Sequence, residues 1–188
     1  MTGARGLVFL LGALSAACGA RGQKEPERAR VASNAALPRA VVTAGPERCA
    51  DAVDDNGNGL ADEGCGIPSG LIQFMVAWDE PGADVDLRVT DPNGELCEVG
   101  RPTESGLVKE RDCPGRNGEC RGKNYENVYL EGGELLRGKY RIRVRLESTG
   151  GADPPVRVRL AARLGPRSYG AGFAFDRPDT DWEVVLDL

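Results

Sequence analysis

The chain has 188 residues, 40% of them hydrophobic and 28% charged, which is enough for one soluble domain with short appendages. Its net charge of -5 argues against a general nucleic-acid binder, and 26 Gly and 12 Pro favour strands and turns over long helices. Histidine is absent, which excludes Ser–His–Asp and Cys–His catalysis and a His-ligated zinc site. We therefore expect a binding or structural protein rather than an enzyme.

Residues 1–17 have the features of an export signal. Arg5 precedes an apolar run over residues 6–17, which is shorter than the about 20 residues that span a bilayer. The run ends in small residues before Cys18 and resembles the bacterial lipobox, with Ser15 where Leu is usual. This resemblance implies lipid attachment at Cys18 and, because Gly follows the Cys, sorting to the outer membrane. The alternative is a plain secretory signal.

Residues 18–47 are predicted to be a flexible tether. They are rich in Ala, Arg and Pro, show neither helix nor strand periodicity, and carry too little apolar surface to fold alone. The folded part is then expected in the periplasm or at the cell surface, held to the membrane through the lipid.

Six cysteines occur, and an exported chain is expected to use them in disulfides. Cys49 and Cys65 bracket one loop and are expected to pair, which would stabilise the fold by about 3 kcal/mol. Cys97, Cys113 and Cys120 leave one thiol over if Cys18 is lipidated. Pairing of Cys113 with Cys120 is one choice, but a pair that includes Cys97 is favoured, because it would tie a strand end to a long insertion.

The bracketed loop, residues 48–66, has the oxygen spacing of a calcium-binding loop. Counted from Asp54, side-chain oxygens fall at positions 1, 3, 5 and 9, and a backbone carbonyl at position 7. The candidate ligands are Asp54, Asn56, Asn58, Leu60 and Asp62. Oxygens at alternate positions converge on one ion because the loop coils around it.

The loop departs from an EF-hand, since position 12 is Cys65 instead of a bidentate Glu and no amphipathic helices flank it. It resembles instead the Cys-bracketed metal-binding motif of secreted myxobacterial proteins. That resemblance implies weak calcium binding, with a dissociation constant of about 10⁻⁴ to 10⁻³ M. The alternative is a disulfide-tied polar turn whose Asn and Gly residues supply left-handed backbone conformations.

From Leu71 onward the apolar residues recur with period 2, which indicates strands. Residues 100–124 lack this period and are predicted to be an insertion. The pattern predicts an all-β fold, a single antiparallel β-sandwich of about 7–8 strands over residues 70–188. The predicted strands are 71–78, 84–90, 95–99, 127–130, 139–146, 156–160, 169–175 and 182–188.

Two stretches resemble secreted β-sandwich modules of the DUF2135 and YfaP-like kind. They are Trp78-Asp79 with Asp84-Val85-Asp86-Leu87-Arg88-Val89 and Asp91-Pro92-Asn93-Gly94, and Glu126-Asn127-Val128-Tyr129 with Gly138-Lys139-Tyr140. The resemblance covers residues 70–165 and implies the fold more than a function, because the family has no settled activity. Arg88 stands where His is common, and Asn124-Tyr125 precede Glu126 where Gly-Pro is usual.

Alternating carboxylates suggest a second metal site. Asp84 and Asp86 lie two residues apart, so both side chains point to one face of their strand. Asp79 in the preceding turn, together with Asn127 or Glu126, completes the candidate set. The alternative is an ordinary solvated strand face.

Arginines alternate on two further predicted strands, at Arg141, Arg143 and Arg145 and at Arg157 and Arg159. If those strands paired as a hairpin, a row of guanidinium groups would cover one outer face and suit an anionic polysaccharide or lipid headgroup. The alternative is a solvent face whose arginines pair with neighbouring carboxylates.

Together these patterns predict a cell-envelope lipoprotein whose β-sandwich is a non-catalytic structural or binding module, stabilised by calcium. Two alternatives remain: a module that binds polysaccharide or peptidoglycan, such as an anionic glycan, and an accessory subunit of a secreted protease or envelope protein complex. Nucleic acid is not an expected partner.

Overall fold

The computed structural model describes residues 31–33, 37, 45–115 and 120–188. These residues contain no helix, and their ten strands form two five-stranded sheets, so the predicted all-β sandwich is confirmed. The export signal and Cys18 lie outside the described residues.

The strands are β1 Val31–Ser33, β2 Ile72–Trp78, β3 Asp84–Thr90, β4 Leu96–Cys97, β5 Val108–Lys109, β6 Tyr125–Leu130, β7 Lys139–Ser148, β8 Val156–Leu164, β9 Arg167–Phe175 and β10 Thr180–Asp187. The first sheet has the order β1-β10-β7-β3-β4, and the second has the order β5-β6-β2-β8-β9. All pairings within the sheets are antiparallel except that of β1 with β10, which is parallel.

Period-2 alternation places the core between the two sheets. On β7, Ile142, Val144 and Leu146 have no exposed surface, whereas the arginines between them point outward. Strand β3 does the same, with Val85, Leu87 and Val89 inward. Burial of these branched side chains against the facing sheet is the main favourable term in folding.

Strand β2 is buried on both faces, which a sheet with one solvent face would not produce. Phe74 and Val76 face the inter-sheet core, whereas Met75 and Ala77 join a second cluster with Ala52, Ile67 and Tyr125. The segment that carries the acidic loop therefore packs on the outer face of the second sheet, and it forms part of the folded domain.

Two segments predicted to be irregular contribute short strands. Within the predicted tether, β1 pairs with β10, and Leu37 joins the core at 9% exposure. Within the predicted insertion, β5 pairs with β6 through Val108 and Tyr129. Strands of two or three residues are too short to show a period, so they could not be predicted from periodicity.

The disulfides agree with the prediction in one case and overturn it in the other. Cys49 and Cys65 are bonded, as their bracketing of the loop indicated. The favoured pair that includes Cys97 is wrong, because Cys113 is bonded to Cys120 and Cys97 is a buried free thiol. Cys97 is 2% exposed on the two-residue strand β4 and is covered by the core, so it packs as a small apolar side chain.

Candidate functional site

The acidic loop is clamped to the second sheet through its own backbone carbonyls. Arg159 Nε donates to the carbonyl of Asp51 over 2.7 Å. Arg163 Nη1 and Ser168 Oγ both donate to the carbonyl of Gly59, over 3.1 and 2.8 Å. Together with the Cys49–Cys65 disulfide, these bonds fix the loop against strands β8 and β9.

Asp54, the first candidate ligand, organises the turn of the loop. Its Oδ1 accepts the N–H of Gly57 over 2.7 Å and of Asn58 over 3.2 Å, and its Oδ2 accepts the N–H of Gly59 over 2.8 Å. The side chain is 6% exposed. These three hydrogen bonds hold the Asp54 side chain at the centre of the turn.

The two candidate asparagines face a carboxylate that the sequence did not single out. The Oδ1 atoms of Asn56 and Asn58 accept the N–H groups of Asn58 and Leu60, over 3.0 and 2.8 Å. Their amide nitrogens donate to the same oxygen of Glu63, Oε1. Glu63 Oε2 is buried without a hydrogen-bond partner.

Asp62, the candidate at position 9, points the other way. Its carboxylate accepts the N–H of Ala52 over 2.9 Å and of Asp51 over 3.3 Å, and it has no exposed surface. Burial raises the pKa of Asp62 to about 6. The structure therefore places Asp62 at the base of the loop, while its neighbour Glu63 lies against the asparagines. Because Asp62 and Glu63 are adjacent in the sequence, spacing alone does not show which of the two faces the asparagines.

The second candidate metal set does not assemble as predicted. Asp84 and Asp86 share the outer face of β3, as expected. Asp79, however, forms an ion pair with Arg159 at 3.2 Å. Asn127 faces away from the core and donates to the carbonyl of Pro68 over 2.7 Å.

Two of the candidates, Asp86 and Glu126, converge instead with Asp112, which the sequence did not single out, and this is the only group of three or more found in the described part of the chain. Oxygens of Asp86, Asp112 and Glu126 all lie within 4.8 Å of one another. Hard cations bind oxygen ligands, so these three carboxylates have the ligand chemistry of a metal site.

This acidic group already surrounds a cation. Lys109 Nζ lies 2.8 Å from Glu126 Oε2 and 3.5 Å from Asp112 Oδ1, and Lys109 is only 9% exposed. Glu126 also accepts the N–H of Leu87 over 2.7 Å and of Cys113 over 3.0 Å. With every oxygen of Glu126 engaged, the group fits an internal lysine better than a metal ion.

Burial is the largest cause of the raised pKa values of Glu126 and Asp84. It raises the pKa of Glu126 to about 8, although Lys109 and the two N–H groups act in the opposite direction. It raises the pKa of Asp84 to about 6, and the negative charge of Asp86 adds to that rise. These groups lie where the strands β3 and β6 of opposite sheets approach each other.

The predicted arginine face does not form, because β7 and β8 lie in different sheets and cannot pair as a hairpin. Arg141 and Arg143 of the first sheet both pair with Glu183 on β10. Arg145 pairs with Asp179 and Asp181, at 2.7 and 3.3 Å. The row is thus matched by carboxylates on β10 and in the turn before it, which is the alternative the sequence left open. Arg157 and Arg159 lie on the outer face of the second sheet.

A groove separates the acidic loop from the β8–β9 hairpin, with a volume of about 310 Å³. One wall is the loop, at Ala52, Val53 and Ala61, and the floor is the outer face of β8 and β9. No sequence signal pointed to it, because it arises from the docking of the loop on a sheet face rich in Ala and Gly.

Comparison with models of protein families, with curated proteins and with solved structures finds no match. The described residues include no helix long and apolar enough to cross a membrane. The two disulfides indicate an oxidising, extracytoplasmic environment.

Proposed function

We propose that this protein is an exported cell-envelope module with no catalytic role, whose sandwich presents a ligand groove under the acidic loop. One observation carries the proposal: four hydrogen bonds from Gln73, Arg159, Arg163 and Ser168 hold the loop carbonyls over the sheet, so that the loop forms one wall of a groove. A rigid scaffold that positions a loop is how small sandwich domains build binding sites.

We further propose that the loop takes one calcium ion, held by Asp54, Asn56, Asn58, Glu63 and the carbonyl of Leu60. Glu63 replaces Asp62 in the set that the sequence predicts. The support is Glu63 Oε2, a buried carboxylate oxygen that lacks any hydrogen-bond partner. An unpartnered buried oxygen is costly, and a cation that it ligates would remove that cost. The ion would supply a cross-link that stiffens the loop.

A thermal melt in calcium and in EDTA tests this proposal, with the chain from residue 18 carrying Cys18→Ser and oxidised cysteines. For a dissociation constant of about 10⁻⁴ M, calcium at about 5 mM would stabilise the fold by about 2 kcal/mol. We expect Glu63→Gln to abolish the rise in Tm. Asp62→Asn is the matched control and should retain it, because Asn adopts the positive φ of this position easily.

Two results would contradict the calcium proposal. If Asp62→Asn loses the calcium-dependent rise in Tm and Glu63→Gln keeps it, Asp62 and not Glu63 is the ligand. Identical melts with and without calcium would leave the loop as a disulfide-tied turn.

For the attachment of the module we propose lipidation at Cys18 and retention at the outer membrane. The support is the small-residue sequence before Cys18, together with disulfides that need an oxidising compartment. Mass spectrometry of the exported chain should show a diacylglyceryl modification at Cys18 in the outer-membrane fraction. Release of an unmodified chain into the soluble fraction would instead support a plain secretory signal.

A further inference from the structure

The floor of the groove is a strip of sheet whose residues are mostly Ala and Gly. On the outer face, Ala161 pairs with Gly170, and Arg159 pairs with Gly172. A methyl group added at Gly172 would meet no atom within 4 Å. Because the neighbouring outward positions on β8 are arginines, this strip forms an apolar channel between two long polar side chains. A volume of about 310 Å³ is enough for a small molecule or for one group of a larger one.

Two polar atoms at this groove lack partners, one an acceptor and one a donor. Gln73 is 1% exposed, and its Nε2 donates to the carbonyl of Ala61 over 3.2 Å, while its Oε1 has no hydrogen-bond partner. Arg163 uses Nη1 for the carbonyl of Gly59, while its buried Nε has no partner. The two residues are opposite each other on the paired strands β2 and β8.

The chemistry of this pair selects among ligand groups. A carboxylate would satisfy the Arg163 donor but would repel the Gln73 oxygen, and an ammonium group would do the reverse. A secondary amide satisfies both, because its carbonyl accepts and its N–H donates. The apolar walls at Ala52, Ala61 and Ala161 suit a small methyl substituent on that amide, which a hydroxyl group would not bring.

We infer that the groove binds an acetamido group, with the carbonyl at Arg163 Nε, the N–H at Gln73 Oε1 and the methyl on the Ala and Gly floor. Both protein atoms lack solvent contact, so the loop wall has to shift to admit the amide. This inference rests on the proposed function, since it names the ligand class of the proposed groove. An N-acetylated sugar and an N-acetylated peptide both present this chemistry.

Amide chemical shifts of the isotopically labelled chain, from residue 18 with Cys18→Ser and oxidised cysteines, test the inference. The probes are di-N-acetylchitobiose, N-acetylalanine methylamide and, as the matched probe without an acetamido group, cellobiose. We expect saturable shifts at Ala161, Gly170 and Gly172 with a Kd on the order of 1 mM. Binding of only one acetylated probe identifies the source of the ligand.

Two variants of β9 complete the design. Gly172→Val fills the groove, and we expect it to weaken binding at least tenfold without unfolding, because the added side chain enters open space. Ala174→Val lies on the same outer face beyond the groove and should bind as the parent does. Arg163→Lys retains the charge but removes Nε, and it should also weaken binding.

The inference is overturned if neither acetylated probe shifts these residues, if cellobiose shifts them equally, or if Gly172→Val binds normally. The titration is run in calcium and in EDTA. Binding of the acetylated probes in both solutions, together with a Tm that does not change with calcium, would refute the calcium site alone. A calcium-dependent melt with no acetamido binding would refute the ligand class alone.

Discussion

Glu126 is a carboxyl side chain with no exposed surface, and it connects parts of the chain that are distant in sequence. It accepts the N–H of Leu87 on the facing sheet, the N–H of Cys113 beside a disulfide, and the ammonium group of Lys109. Strand β4 covers β3 only at Val89 and Thr90, so the Leu87 N–H has no strand partner on that side. Glu126 thereby supplies the acceptor that a longer strand would have given.

Removing Lys109 should be costly above pH 8, because burial raises the pKa of Glu126 to about 8 and the ionised carboxylate would then lack its buried cation. We expect Lys109→Met to lower the free energy of unfolding by about 3 kcal/mol in urea denaturation at pH 9. Arg101→Ala, which breaks the exposed pair with Glu98, is the control and should change it by less than about 1 kcal/mol.

The double variant Lys109→Met with Glu126→Gln separates charge from packing. If the cost of the single variant arises from an unpaired charge, the double variant should lose less stability than Lys109→Met alone. A double variant that loses the sum of the two single costs would show that Lys109 acts through its packed side chain.

At the scale of elements, alternation in the sequence located strands but not their neighbours. The inward residues of β3, β7 and β8 were predictable because period 2 places them on one face. The placement of β7 and β8 in different sheets was not, since the seven-residue connection over residues 149–155 suits a hairpin and a crossing between sheets equally well. Side-chain periodicity reports which face is buried and carries no information on which sheet the strand joins.

The candidate site shows the same limit. The Cys49–Cys65 bond and the turn around Asp54 follow from local spacing, which a sequence displays directly. Lys109 lies on a two-residue strand without periodicity, and the groove exists only because the loop packs on strands about 100 residues away. Neither leaves a local pattern.

The β7–β8 connection crosses the β2–β3 turn so closely that Gly150 has no room for a side chain. A methyl group on Gly150 would lie 1.7 Å from the carbonyl oxygen of Gly82, and Gly150 has a φ of +60°. We expect Gly150→Ala to destabilise the fold by about 3 kcal/mol or more, because backbone has to move. Gly151→Ala also has positive φ but meets no atom within 4 Å, so its cost should be about 1 kcal/mol. Equal costs in thermal melts would refute the steric explanation.

At the scale of the whole molecule, the described carboxyl groups whose pKa values are most strongly raised lie in two places. One is the acidic loop, and the other is the region where β3 meets β6. Burial raises the pKa of Asp62 at the base of the acidic loop and of Asp84 at the start of β3, each to about 6 from an ordinary value of 3.8. The folded state therefore binds protons more tightly than the unfolded chain between these values.

The sign of the pH dependence follows from that difference. Stability from these groups is fully present below about pH 4 and is lost as the pH rises through about 6, because ionisation is more costly in the folded state. Glu126 extends the decline towards pH 8. We expect Asp84→Asn to raise the free energy of unfolding at pH 7, measured by denaturant titration, by about 1 kcal/mol. This figure allows for the partial exposure of the Asp84 side chain. The advantage should vanish at pH 3, below the ordinary pKa of 3.8, where Asp84 is mostly protonated in both the folded and the unfolded parent. A constant difference at both pH values would mean that Asp84 affects stability through hydrogen bonding and not through its charge.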